Sequence, residues 1–142
     1  MSLFGLPVQT ILLGSIGVAA FLVYLPFSVV GLARVQAGYN KEMMAAPRAA
    51  LEKLPPFGQR ATWAHENSWE SFILFSVAAL MAYVTNQTSE MAAWLAIAYL
   101  VVRLLYSAAY IFNIPALRSL MFASGSYCIG SLIVMSVMST LK

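Results

Sequence analysis

Two stretches of this sequence place charged and hydrogen-bonding side chains at helical spacing inside otherwise apolar runs. In the first, Arg60, Trp63, Asn67, Glu70 and Leu74 follow at offsets of three and four, which gathers them on one stripe of a helix. Glu70 is followed directly by Ser71-Phe72-Ile73-Leu74-Phe75, so its carboxylate lies well inside the apolar part of that helix. In the second, Arg103, Tyr106, Tyr110 and Asn113 share a face at offsets of three, seven and ten. At about 1.5 Å of rise per residue, Arg103 sits roughly 15 Å from the end marked by Asn113 and Pro115. Glu70 reaches a similar depth from Arg60 in an antiparallel neighbour. The matching depth predicts that Glu70 and Arg103 pair across adjacent helices, because a bare carboxylate or guanidinium in hydrocarbon costs several kcal/mol. Asn67, Tyr106 and Tyr110 would then satisfy the remaining hydrogen-bonding sites.

Two readings of such a pair compete. The plainer one is an internal staple that fixes helix register. Against it, the stripes hold more polar groups than one ion pair needs, and they open toward a basic rim of Arg34, Arg60 and Arg118. A positive rim above a buried polar pocket suits an anionic ligand, since guanidinium forks match carboxylates. Other reactive residue types contribute less. His65, Glu66 and Trp69 fall on other faces, and a lone histidine near a membrane surface is more simply a snorkelling polar group. Cys128 is the sole thiol and lies in an apolar run, where a small buried hydrophobe is expected rather than a nucleophile. No metal site is expected.

The elements that must hold these residues follow from composition. The chain has 142 residues, 61% hydrophobic and 9% charged, against roughly 25% charged in a soluble domain. Charge cannot wet such a surface, so lipid must solvate most of it. Four segments approach the roughly 20 apolar residues that span a bilayer core: about 8–33, 60–83, 91–113 and 119–141. The first is uncharged until Arg34 and is kinked by Pro26, which a membrane helix tolerates. With no basic residues ahead of it, it is expected to remain as a spanning helix rather than to be a cleaved leader. The expected architecture is an all-α, up-down-up-down four-helix membrane bundle forming one domain over 1–142. Residues 34–59 read as a hydrophilic loop with Pro47, Pro55, Pro56 and Gly58 and a short helix near Arg48–Leu54. The link around 85–89 is short, and 113–118 is a tight turn containing Pro115. Arg34, Lys41, Arg48, Lys53, Arg60 and Arg118 lie on the face holding the first and third connections, against Lys142 on the other. The positive-inside rule then makes loops 34–59 and 113–118 cytoplasmic and puts both termini outside. The net charge of +3 is thus an orientation signal, and no nucleic-acid partner is expected. Asn86-Gln87-Thr88 matches a glycosylation sequon but sits too close to the membrane for use.

The run Arg60-Ala-Thr-Trp63-Ala-His65-Glu66-Asn67-Ser-Trp69-Glu70, ahead of its apolar stretch, resembles the second helix of the MAPEG family, the membrane-associated proteins in eicosanoid and glutathione metabolism. Arg103-Leu-Leu-Tyr106-Ser-Ala-Ala-Tyr110 looks like the matching stretch of its microsomal glutathione transferase and leukotriene C4 synthase branch, and Arg118-Ser119 resembles the start of that family's fourth helix. The resemblance covers essentially the whole chain. It implies a homotrimer with a glutathione site between neighbouring subunits near the cytoplasmic face, glutathione being a cosubstrate. It implies that Arg34, Asn67, Glu70, Arg103, Tyr106, Tyr110 and Ser119 bind glutathione and that Arg118 activates its thiol, holding the thiolate by a fixed positive charge. The chain departs from some members at Trp63 and Glu66, where they carry basic glutathione contacts, and at Phe122, where they carry tyrosine.

Three functions follow as expectations. The first is a glutathione S-transferase or peroxidase acting on hydrophobic electrophiles or lipid hydroperoxides that partition into the bilayer, in a bacterial inner membrane. The second is a non-catalytic member that binds lipid or accompanies a membrane complex, as fold alone does not decide activity. The third, a channel or transporter, fits poorly with one acid and one base that neutralise each other.

Overall fold

The computed structural model describes residues 2–141; Lys142, counted above for orientation, lies outside them. Four helices are long and apolar enough to cross a membrane: α1 (Val8–Gln36), α3 (Pro56–Val84), α4 (Glu90–Ile111) and α5 (Pro115–Ser139). A short α2 (Lys41–Ala45) and a 3₁₀ turn over Ala49–Lys53 lie in the loop before α3. The chain is therefore an integral, multi-pass, all-α membrane bundle, as the hydropathy pattern predicts.

The helix starts differ from the sequence expectation by four residues at two places. α3 and α5 open on Pro56 and Pro115, where the sequence predicts loops. Proline at the first helical position loses nothing, since its missing N–H would be unsatisfied there anyway. Three helix ends close alike. Gly38, Asn86 and Asn113 take left-handed φ values of 67°, 53° and 57°. The amides of Tyr39, Gln87 and Ile114 then reach back to the carbonyls of Arg34, Ala82 and Ala109, satisfying helix-end acceptors where water is scarce. Two features were not anticipated. Asn40 caps α2 by accepting from the Met43 amide, and Ser2–Leu3 pairs with Leu6–Pro7 in a small hairpin that sets Phe4 edge-on to Trp94.

α1 packs along α3, and α4 along α5, with further contacts of α1 with α4 and of α3 with α4 and α5. The shared core uses small residues, among them Ala78, Ala79, Ala82, Ala92, Ala93 and Ala96, around Phe75 stacked on Tyr99 at 3.8 Å. Small residues let membrane helices approach closely, which is how they associate without a hydrophobic driving force. α1 and α3 approach closely at Gly58, where a Cβ would collide with that of Ala33. Pro26 is buried inside α1 and leaves the carbonyl of Leu22 without its i+4 donor. The next carbonyl, of Val23, accepts from His65 Nδ1 at 2.7 Å. A carbonyl only accepts, so that contact fixes the proton on Nδ1. The histidine expected from sequence to be a surface group is a tie between α3 and the Pro26 turn of α1.

Candidate functional site

α3 turns a face of mostly small side chains inward: Ala61, Ala64, Ser68, Ala78 and Ala82 are buried, with Phe75 among them. The stripe that carries Asn67 and Glu70 is rotated away from it. Asn67 is half-buried, while Trp63, Glu70 and Leu74 are exposed on the single chain. On α4 the geometry is the reverse. Arg103 is 5% exposed and Tyr106 4%, with Tyr110 half-buried.

The direct Glu70–Arg103 ion pair expected from sequence is absent: the two charges do not approach within 4.0 Å. Asn67 stands between them. Arg103 Nη2 donates to Asn67 Oδ1 at 3.2 Å and to Ser68 Oγ at 3.2 Å. Asn67 Nδ2 in turn donates to Glu70 Oε2 at 3.5 Å. An amide can do this because it carries an acceptor for the donor-only guanidinium and a donor for the acceptor-only carboxylate. The physical reason for the miss is rotational: residues on one stripe share a face only loosely, and the inward position went to Ser68 rather than Glu70. Ser68, which also donates to the Ala64 carbonyl at 2.7 Å, was missed by the sequence reading. Its signal was present in the Ala61, Ala64, Ser68 spacing of small residues.

Toward the Asn113 end of α4, aromatic rings carry the site onward. The Arg103 guanidinium lies 4.3 Å from the Tyr106 ring centroid, Tyr106 meets Tyr110 edge-on at 5.7 Å, and the Arg118 guanidinium lies 4.6 Å from the Tyr110 ring. Two cations are thus held at the ends of a two-tyrosine ladder, each over an electron-rich face. Phe122 tilts against Tyr106 at 6.4 Å. Ser119 is exposed beside Arg118. Arg34 stands apart from this ladder, stacked on Phe27 and Tyr39 at 5.8 and 5.1 Å, with a buried Nε that has no partner among the described residues. Arg60, read from sequence as a free rim cation, donates from Nε to the Ile111 carbonyl at 2.9 Å and so caps the end of α4.

The enclosed space beside Arg103, between α1, α3 and α4, is about 10 Å³ and is lined by Ser68, Tyr99, Arg103 and Ser107 with apolar neighbours. That is room for roughly one water. A larger ligand that reaches this polar chain must therefore approach from the outer side, where Asn67 and Glu70 face out. The model of the MAPEG family matches residues 11–138 of the chain. Comparisons with curated proteins and with solved structures give no match.

Proposed function

The chain belongs to the MAPEG family, and from that membership and the Arg103–Asn67–Glu70 chain we propose that it is a membrane-bound glutathione S-transferase or peroxidase. Its substrates are hydrophobic electrophiles or lipid hydroperoxides that arrive through the bilayer. The observation that carries the reading is the exposure of Glu70. The carboxylate sits roughly 20 Å along α3 from its start at Pro56, where facing bare hydrocarbon would cost several kcal/mol. It therefore needs a cover with hydrogen-bond donors. A neighbouring copy of the chain, closing over a bound glutathione, provides it, and the assembly is a homotrimer.

In this reading Glu70 takes the glutathione ammonium, and Asn67 with Arg103 behind it keeps the carboxylate oriented. Tyr106, Tyr110, Ser119 and Arg34 supply further contacts, and Arg118 holds the thiolate by its fixed charge. The thiol proton leaves to solvent. In transfer, the thiolate sulfur forms a bond to the electrophilic carbon as the leaving group departs with its electron pair. In peroxide reduction, sulfur attacks the distal oxygen, the O–O bond breaks to an alcohol, and a second glutathione completes the disulfide with loss of water. Orientation follows the basic loops, with 34–59 and 113–118 cytoplasmic and the termini outside, in a bacterial inner membrane.

Purified protein given glutathione and an activated aryl halide should turn over, and Arg118→Ala should lower the rate about 100-fold while leaving binding measurable. Titration calorimetry should show saturable glutathione binding that Arg103→Ala abolishes. No turnover together with no binding would remove the proposal. Co-purified lipid or partner, without stabilisation by millimolar glutathione, would put a non-catalytic accessory role in its place.

A further inference from the structure

α4 and α5 leave a groove of about 490 Å³ between them, open to the outside of the bundle in the half remote from Arg118. Met91 and Leu95 of α4 form one wall, and Tyr127, Ser131, Val134 and Met135 of α5 form the other. Gly130 widens it, since a Cβ there would meet nothing within 4 Å. No residue of α3 lines the groove, so it lies clear of the Glu70 face that the proposed neighbouring copy covers. It is clear of the tyrosine ladder too. Tyr127 follows Arg118 by nine residues, which at about 3.6 residues per turn puts it on the opposite side of α5. Gly125, Ile129 and Leu132 mark the inward face of that helix, and Tyr127, 72% exposed, points away from it.

Two hydroxyls in this groove are unspent. Ser124, Ser126, Ser136 and Ser139 on the same helix each donate to a carbonyl three or four residues earlier, the usual way to satisfy a hydroxyl in hydrocarbon. Tyr127 Oη and Ser131 Oγ make no hydrogen bond among the described residues. Four residues apart, they stand one above the other, about 6 Å along the helix. Tyr127 lies midway between Pro115 and Ser139, the ends of α5, and so near the middle of the bilayer, where a bare polar group is costly. Phospholipid cannot supply the acceptor. Its carbonyls and phosphate sit at the headgroup level, roughly 15 Å away across half of a 30 Å core. The occupant must therefore be a neutral molecule that carries its acceptors into the hydrocarbon. Met91 and Met135 line the same groove, and methionine sulfur favours the edge of a flat ring. The volume falls within the roughly 300–1,000 Å³ of small-molecule sites, which are apolar with a few placed polar groups.

We propose that the α4–α5 groove binds a neutral carbonyl-bearing ring on an apolar tail, a membrane quinone, with Tyr127 and Ser131 donating to its carbonyl oxygens and Met91 and Met135 against its ring. The site does not rest on the glutathione reading, and its test contains no glutathione. Native mass spectrometry of the full-length protein reads the preference between two molecules supplied in equal amounts. One is a fully substituted benzoquinone with a ten-carbon tail, the other the same tail on a benzene ring without carbonyls. The quinone should be retained about tenfold over the hydrocarbon. Tyr127→Phe with Ser131→Ala should erase that preference with helical circular dichroism unchanged, and Arg118→Ala should leave it intact. Equal retention in the parent protein, or a preference that survives the double variant, overturns the proposal. Gly130→Leu fills the groove and should lower quinone retention about as far; unchanged retention would place the quinone elsewhere and overturn the assignment. Displacement of the quinone by an excess of phosphatidylethanolamine would give the groove to ordinary lipid and overturn it as well. An oligomer that dissociates in the double variant, with no quinone preference in the parent, would put a second copy over Tyr127 instead.

Discussion

Replacing Asn67 by leucine separates a relay from a direct ion pair. In the relay, Arg103 Nη2 holds Asn67 Oδ1 at 3.2 Å, and Glu70 feels the arginine only through the amide's other end at 3.5 Å. A hydrogen bond to a charged donor is worth about 1.5–3 kcal/mol in water-soluble proteins. Double-mutant cycles inside membranes average about 0.6 and reach about 1.7 kcal/mol, because the unfolded chain in detergent also finds partners. The Asn67/Arg103 coupling should therefore be about 1–1.5 kcal/mol, measured with Asn67→Leu, Arg103→Met and the double variant. The Glu70/Arg103 coupling, measured with Glu70→Gln, should stay below about 0.5 kcal/mol, since no direct contact is made. Tryptophan fluorescence during reversible unfolding in lipid–detergent micelles titrated with dodecyl sulfate gives all the required free energies. A Glu70/Arg103 coupling equal to or above that of Asn67/Arg103 would refute the relay and restore the direct pair.

The remaining predictions concern packing. Gly58→Ala should cost about 1–3 kcal/mol, because the new methyl meets Ala33 and comes within 3.3 Å of Leu54 Cβ; thermal unfolding should find Gly58→Ala with Ala33→Gly less destabilised than Gly58→Ala alone, and no such recovery would mean the contact is not the cause. Arg60→Met frees the Ile111 carbonyl, so amide exchange at 112–114 should quicken about 5–30-fold while 92–99 keep their protection, for a lost bond of about 1–2 kcal/mol; a uniform rise would contradict a local capping role. Cys128 is buried and should resist maleimide until the bundle is unfolded, whereas prompt labelling of native protein would contradict its packing.

The architecture was legible because its signals are long and redundant. Four apolar stretches, two uncharged, leave little freedom in a bilayer, and the breaks between them carry Gly38, Asn86 and Asn113 at the points where the backbone turns left-handed. The helix starts were harder to read, as Pro56 and Pro115 look like loop residues until one counts the donors a helix start wastes. The small-residue face of α3 was also readable, yet polarity drew attention to the wrong stripe. Asn67 and Glu70 are conspicuous in hydrocarbon, whereas Ala61, Ala64 and Ser68 are quiet and decide which way the helix faces. His65 could not have been assigned from spacing at all, because its partner is the backbone carbonyl of Val23, 42 residues earlier in the chain and within a turn of Pro26.

That misplaced face changes what the site is. If Glu70 had pointed inward onto Arg103, one chain would have satisfied both charges and the polar cluster would have been complete, which favours a structural staple. Instead Arg103 is satisfied from within, by Asn67 and Ser68, and the unspent acceptor is carried outward to an exposed carboxylate. The space beside Arg103 offers room for roughly one water, and Glu70 is exposed, turned away from it. A carboxylate left open at that depth is best met from outside the chain, and in the proposed assembly a neighbouring subunit with its bound ligand would meet it at less cost than lipid does. The free energy that pins Arg103 is thus separable from the free energy that awaits a partner at Glu70. Variants at Glu70 should accordingly leave the fold of one chain nearly unchanged while weakening assembly or glutathione binding, and variants at Ser68 should do the reverse.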